Sequence, residues 1–309
     1  MRTALFTHEA CLEHDTGQSH PESPARLRAV LQALDAPAFA NLDRREAPRA
    51  TIDQIARVHP RDYVTQLLSD IPESGLVQLD ADTIASPGSG EAALRAAGAV
   101  CAAIDAVISG EVRNAFCAVR PPGHHAEPTI PMGFCIFNSI AVGAAHAREA
   151  HGLNRVAVVD FDVHHGNGTQ AMFQDNPYSF FASTHQSPLY PGTGAATDRG
   201  CADNIVNAPL PPNAGSDAFQ HAMTETVLPA LSAFAPDMIF ISAGFDAHAD
   251  DPLASLNFLD GDYAWATQQI MNVAGNCCDG RLVSTLEGGY DLAALARSAA
   301  CHVSTLMAG

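Results

Sequence analysis

Residues 155–169 read Arg155-Val156-Ala157-Val158-Val159-Asp160-Phe161-Asp162-Val163-His164-His165-Gly166-Asn167-Gly168-Thr169. Four apolar residues, three of them β-branched, break into a polar loop with two carboxylates, two imidazoles and two glycines. Apolar residues without polar alternation describe a strand buried on both faces, which needs a covering layer on each side. The same pattern recurs at Thr3–Thr7, Ala115–Val119, Ser179–Ser183, Met238–Ser242 and Leu282–Leu286. Ala-rich helical stretches lie between: Pro24–Leu34, Glu91–Ile108, Ser139–Glu149, Asp217–Phe234, Tyr263–Ala274 and Leu292–Leu306. Ile52–Leu68 is helical too, with a break at Pro60. Strands alternating with helices predict an α/β fold whose central, mostly parallel sheet is flanked by helices. No linker, charge block or repeat divides the chain, so residues 1–309 are expected to form a single domain.

The loops at the strand ends carry the chemistry. The run at 115–119 leads into Arg120-Pro121-Pro122-Gly123-His124-His125, and Ser179–Ser183 into Thr184-His185. Met238–Ser242 leads into Ala243-Gly244-Phe245-Asp246, and Leu282–Leu286 into Glu287-Gly288-Gly289-Tyr290. Loops beyond the carboxyl ends of parallel strands share one crevice, so five separated motifs are expected to form one site.

Asp162 and His164 stand two apart after a strand, where both side chains point the same way. Asp246 adds an oxygen from a second strand end. Three N/O ligands leave a position open for water or substrate, the pattern of a catalytic metal site. Imidazole favours a borderline ion over magnesium, and zinc, iron and cobalt all suit the set. An Asp-x-His alone serves equally well as a helix cap; the second strand end makes it a metal candidate. Of the pair His124-His125, one ring can take a proton from water while its neighbour holds a positive charge. The phenol of Tyr290 can donate to a developing oxyanion. Together these groups describe metal-assisted hydrolysis of an uncharged carbonyl compound. Neither a Gly-x-Ser-x-Gly elbow nor a Gly-x-Gly-x-x-Gly turn comes after a strand, so covalent and dinucleotide chemistry lack support.

Composition narrows the partner. Apolar residues make up 47% of the chain and charged ones 16%, which supplies a large core and excludes a disordered chain. Asp and Glu number 34 against 16 Lys and Arg, a net charge of −18 that repels nucleic acid and attracts cations. The longest apolar runs, such as Met238–Ala243, are too short to cross a bilayer, so no membrane partner is expected. Met1–Phe6 passes directly into a strand, and no secretory signal is expected. Eight cysteines without a Cys-x-x-Cys pair read as small core residues in a reducing compartment, and the cytoplasm is the expected location.

The loops resemble those of the histone deacetylase family, in particular its class II and bacterial amidohydrolase members. The matching strings are His20–Leu27, Arg120–Ala126, Gly133–Asn138, Asp160–Thr169, Pro191–Gly194, Ser242–Asp246, Asp251–Leu253 and Leu286–Asp291, in the family's order. The resemblance implies the single-domain, three-layer arginase/deacetylase-like fold. It implies one zinc ion per chain on Asp162, His164 and Asp246. His125 would be general base and acid, His124 its electrostatic partner, and Tyr290 the clamp on the substrate carbonyl. Asp160 and Asn167 would orient the two imidazoles. A structural potassium ion would sit on Asp160, Asp162, His164, Ser183 and Thr184, partly through backbone carbonyls. Gly133, Phe134, Tyr190, Leu253, Gly288 and Gly289 would line a channel for an acyl-lysine stem, with Tyr190 where phenylalanine is more usual. Arg26 matches a residue near the pocket floor.

Two departures set the chain apart from its relatives. The related ureohydrolases use further carboxylates for a second metal where this chain has Gly166 and His248, which predicts one metal ion rather than two. Acetylpolyamine specialists carry an acidic gatekeeper where this chain has Leu253. Removal of an acetyl or short acyl group from acyl-lysine in a protein or peptide is therefore expected, with acetylated polyamine as the alternative substrate. A non-catalytic acyl-lysine reader is disfavoured by the presence of Tyr290. Asp80 and Asp82 are read as part of a solvated loop, with a hydrogen bond to a substrate backbone or amine at the rim as the alternative.

Overall fold

The computed structural model describes residues 2–309. In chain order the strands are β1 (Thr3–Thr7), β2 (Asp43–Glu46), β3 (Val77–Gln78), β4 (Ile84–Ala85) and β5 (Asn114–Cys117). They continue with β6 (Val156–Asp160), β7 (Ser179–Gln186), β8 (Ile205–Leu210), β9 (Met238–Ala243) and β10 (Leu282–Leu286). β3 and β4 form a small antiparallel hairpin. The other eight make one sheet in the order β2-β1-β5-β10-β9-β6-β7-β8. Every neighbouring pair in it is parallel, so the sheet is wholly rather than mostly parallel.

The helices are α1 (Pro24–Leu34), α2 (Ile52–Ile55), α3 (Arg61–Ser69), α4 (Ser89–Ile108) and α5 (Ser139–His151). They continue with α6 (Asn167–Phe173), α7 (Ser216–Ala222), α8 (Leu228–Phe234), α9 (Asp260–Cys277) and α10 (Leu292–Ala308). α4 packs with α5, and α10 with both α1 and α9. β5, β6, β7, β9 and β10 are buried along their whole length, as strands covered on both faces must be. Those five are consecutive in the sheet, so the loops after them emerge side by side along one edge. Among the described residues no helix is long and apolar enough to cross a membrane.

Several boundaries differ from the sequence reading. The strand expected at 115–119 is Asn114–Cys117, because the chain leaves the ladder ahead of Pro121 and Pro122, which have no N–H to give. β7 runs on to Gln186, which makes Thr184 and His185 strand residues rather than loop residues. Asp217–Phe234 is not one α-helix: α7 and α8 are joined by a π-helical turn, Met223–Val227. Pro229 lies in the first turn of α8 and cannot donate to the carbonyl four residues back, so the hydrogen-bond ladder loosens just before it. Two outer strands are not legible in the sequence. β2 is Asp43-Arg44-Arg45-Glu46, four charges that read as surface and in fact blunt an exposed sheet edge. β8, at the other edge, contains Pro209, which only an edge strand tolerates.

Phe240, at the centre of β9, is fully buried. Phe240→Ala is expected to lower stability by about 3–5 kcal/mol, read as a fall in the urea midpoint. A loss below ~1 kcal/mol would show that the middle of the sheet is not tightly packed.

Candidate active site

β6 and β9 are neighbours with Asp160 paired to Ser242, so the loops beyond them meet. Val163 N donates to Asp246 Oδ1 at 2.8 Å, which fastens one loop to the other. His164 N and Nδ1 both lie against Asp162 Oδ1, at 2.9 and 3.0 Å. His164 Nδ1 stands 3.2 Å from Asp246 Oδ2, an oxygen that is buried and has no well-formed hydrogen bond. One ligand atom from each of Asp162, His164 and Asp246 falls within 4.8 Å of the others, and all three residues are buried. Gly288 N donates to Asp162 Oδ2 at 2.8 Å, and a Cβ at Gly288 would drive into both carboxylates. Burial opposes charge on His164, but the two carboxylates outweigh it and lift its pKa to about 10. Two acids and an imidazole converging on one buried point fit a single borderline divalent ion.

The adjacent histidines have opposite surroundings. His124 Nδ1 faces Asp160 Oδ2 at 2.9 Å. Burial disfavours its charge, yet Asp160, Asp162 and Glu287 raise its pKa well above the usual value. His125 Nδ1 faces Asn167 Oδ1 at 2.8 Å, and Asn167 Nδ2 donates to Glu127 Oε1 at 2.8 Å. The carboxylate of Glu127 fixes which way the amide points, so Nδ1 of His125 carries the proton and Nε2 keeps its lone pair. Burial, then the charges of His124 and His164, hold the His125 pKa well below the usual value. The rings lie 4.0 Å apart. Gly133 has φ +57°, and a Cβ there would enter the His125 ring.

Tyr290 is held from two sides. Asp251 Oδ2 accepts from Tyr290 N at 2.7 Å, while Asp251 Oδ1 accepts from Leu253 N at 3.0 Å. The Arg26 guanidinium lies over the Tyr290 ring, 4.8 Å from its centre, and donates to the carbonyls of Glu287 and Gly289. Phe134 meets Tyr290 edge-on at 5.8 Å, and Tyr190 meets His125 at 5.2 Å. Together with Leu253 they wall a cavity of about 200 Å³ that opens above His125 and His164. Gly288 sits against the carboxylates and the Gly289 carbonyl accepts from Arg26; neither is among the residues around that cavity. Ser183 Oγ pairs with His185 Nδ1 at 2.9 Å, and Thr184 Oγ1 is buried without a partner. Asp82 is not simply solvated: its Oδ1 accepts from Gly133 N at 2.9 Å and so ties down the channel wall.

Four buried acids and bases had no role in the sequence reading. Glu22 bridges Arg26 and Arg120, and none of the three is exposed. Asp251 braces the tyrosine loop. Glu287 accepts from Gly123 N at 2.7 Å and His124 N at 3.2 Å, and burial raises its pKa to about 7. The available signal is a charge just after a buried, mostly apolar strand, as in Arg120 and Glu287, which requires a buried partner.

A parallel α/β sheet with such a site at its carboxyl edge defines a candidate metal-assisted hydrolase. The chain belongs to the histone deacetylase family: the sequence profile of the histone deacetylase domain matches residues 20–306. It is 40% identical to histone deacetylase 14, chloroplastic, of Arabidopsis thaliana over 98% of this chain and 76% of that protein. It is also 40% identical to the histone deacetylase-like amidohydrolase of Pseudomonas aeruginosa, over 94% of this chain and 82% of the relative. The crystal structure of the HDA15 HD domain superposes with a TM-score of 0.92 at 35% identity, covering 99% of this chain and 88% of that one. Family membership places the chain among deacetylase-type hydrolases.

Glu22→Gln would leave two buried guanidinium groups facing a neutral amide. It is expected to cost about 3–5 kcal/mol, seen as a lowered thermal midpoint. An unchanged midpoint would show that other groups neutralise Arg26 and Arg120.

Proposed function

We propose that this chain is a zinc-dependent amidohydrolase that removes an acetyl or short acyl group from the side-chain amine of acyl-lysine. The carrying observation is the convergence of Asp162, His164 and Asp246 at the foot of a narrow channel, beside a histidine with a free Nε2. These three residues would hold the ion, which when bound supplies polarisation of the amide carbonyl and acidification of nearby water. His125 takes the proton of the attacking water on Nε2 and returns it to the leaving amine. Asn167 keeps His125 in that tautomer, and the imidazolium of His124, held by Asp160, opposes premature protonation of its neighbour. The Tyr290 hydroxyl donates to the developing oxyanion, with Arg26 and Asp251 fixing its loop. Water adds to the amide and the products are a carboxylate and a free amine, so no other reactant is needed.

Gly133, Phe134, Tyr190 and Leu253 accommodate an extended, uncharged acyl stem. A structural potassium ion on Asp160, Asp162, His164, Ser183 and Thr184 is part of the same proposal, and the unpartnered Thr184 Oγ1 suits it. The whole chain, 1–309, acts as one catalytic domain. Eight free cysteines fit a reducing compartment such as the cytoplasm. Acetylated polyamine is the second reading: the net charge of −18 attracts a cation, but Leu253 at the channel offers it no carboxylate.

Hydrolysis of an acetyl-lysine peptide is expected to stop on chelation and return with Zn²⁺. Asp246→Ala should lose both bound zinc and turnover, whereas Tyr290→Phe should keep the zinc and lower kcat by ~100-fold or more. Activity indifferent to chelators would overturn the metal mechanism, and a silent Tyr290→Phe would overturn the clamp. Faster hydrolysis of acetylated polyamines by the same preparation would establish the second reading instead.

A further inference from the structure

Asp105 lies in the last turn of α4, and His146 and His151 lie toward the end of α5. These helices feed the amino ends of β5 and β6, so the three residues sit at the opposite edge of the sheet from the crevice. His146 Nε2 and His151 Nε2 stand 2.7 and 2.6 Å from one and the same oxygen, Asp105 Oδ1. The two rings are 5.3 Å apart and nearly perpendicular. His146 is buried, while the Asp105 and His151 side chains are 53% and 24% exposed.

We infer that Asp105, His146 and His151 form a peripheral binding site for a divalent transition ion of the zinc class, separate from the proposed catalytic centre. Two imidazole nitrogens and a carboxylate oxygen directed at one solvent-reachable point offer a His₂Asp face, with water completing the coordination. Zinc holds such ligands at about 2.0–2.2 Å, which spaces neighbouring ligand atoms by about 3.3 Å. The present N···O separations must open by about 0.6–0.7 Å, and the exposure of Asp105 and His151 leaves room for that. Bound metal would clamp the ends of α4 and α5 together and stabilise the fold by mass action.

Arg57 sets the competing state. Its Nη1 is 2.7 Å from His146 Nδ1. A guanidinium only donates, so Nδ1 accepts and the proton of the neutral ring sits on Nε2, aimed at Asp105. Metal binding at Nε2 transfers that proton to Nδ1, where it opposes Arg57, and the guanidinium must turn aside. Glu149 Oε2, 3.1 Å from Arg57 Nε and well exposed, marks the direction in which it can go. Arg57 therefore weakens the site, and removing it strengthens binding.

The test uses the full chain dialysed against graded free Zn²⁺, with bound metal counted by elemental analysis. The wild type is expected to take up two ions and His151→Ala one, while His151→Ala hydrolyses acetyl-lysine at the wild-type rate. Asp246→Ala should retain one ion, which disappears when His151→Ala is added. Arg57→Gln replaces the guanidinium by a group that can accept from Nδ1–H, and should bind the peripheral ion at least ~3-fold more tightly. That gain cannot arise from misfolding. Equal zinc uptake by wild type and His151→Ala, or no gain in Arg57→Gln, would overturn the assignment. Loss of the peripheral ion in His151→Ala with no loss in Asp246→Ala would leave it standing and refute the catalytic metal instead.

Discussion

The site depends on carboxylates that the fold buries together. Asp160, Asp162, Asp246 and Glu287 are all essentially inaccessible at the carboxyl edge of the sheet. Burying such groups is costly unless each finds donors or a cation. The backbone supplies many of the donors: Asp162 N to Asp160, His164 N and Gly288 N to Asp162, Val163 N to Asp246, Gly123 N to Glu287. These bonds fix the carboxylates without neutralising them. The remaining negative charge raises the pKa values of His124 and His164, and Asp162, His164 and Asp246 converge closely enough to make a candidate metal site.

Support for this edge comes from a second buried layer. Arg26 and Arg120 share Glu22, and through their remaining N–H groups they reach the carbonyls of Glu287, Gly289, Cys11 and His14. The loop bearing Tyr290 is thus gripped by Arg26 beneath and Asp251 beside it. In the proposed mechanism the Tyr290 hydroxyl would gain from such rigidity, since little reorganisation is left for the moment of reaction. The channel wall is treated likewise, with Asp82 holding Gly133 and Gly133 lying flat against His125.

The fold is legible in the sequence where one physical demand dominates. Strands β6, β9 and β10 are buried on both faces, so their residues are mostly apolar, with Asp160 and the small hydroxyls Ser242, Ser284 and Thr285 as the exceptions, and their ends stand out by the polar loops beyond them. β2 and β8 are hidden because edge strands obey different demands: Asp43–Glu46 must repel other edges, and Pro209 needs only one bonded side. α6 is masked by Gly166 and Gly168, which read as loop but let the backbone pass beside Asp160 and Ala126. Asp82 looks like surface because nothing local marks a carboxylate that captures an N–H fifty-one residues away.

Residue type alone cannot separate His124 from His125, and their partners do. A carboxylate at 160 stabilises an imidazolium; an amide at 167 accepts the Nδ1 proton without adding negative charge. Were residue 167 an aspartate, His125 would face a second anion in a low-dielectric pocket and its affinity for a proton would rise. The neutral amide, oriented by Glu127, keeps Nε2 available while the charged ring of His124 lies 4.0 Å away. Two identical side chains, adjacent in sequence, thus meet opposite surroundings. Asp160, Asp162 and Glu287 favour the charge on His124. Burial and the charges of His124 and His164 disfavour it on His125, where Asn167 supplies no anion to offset them.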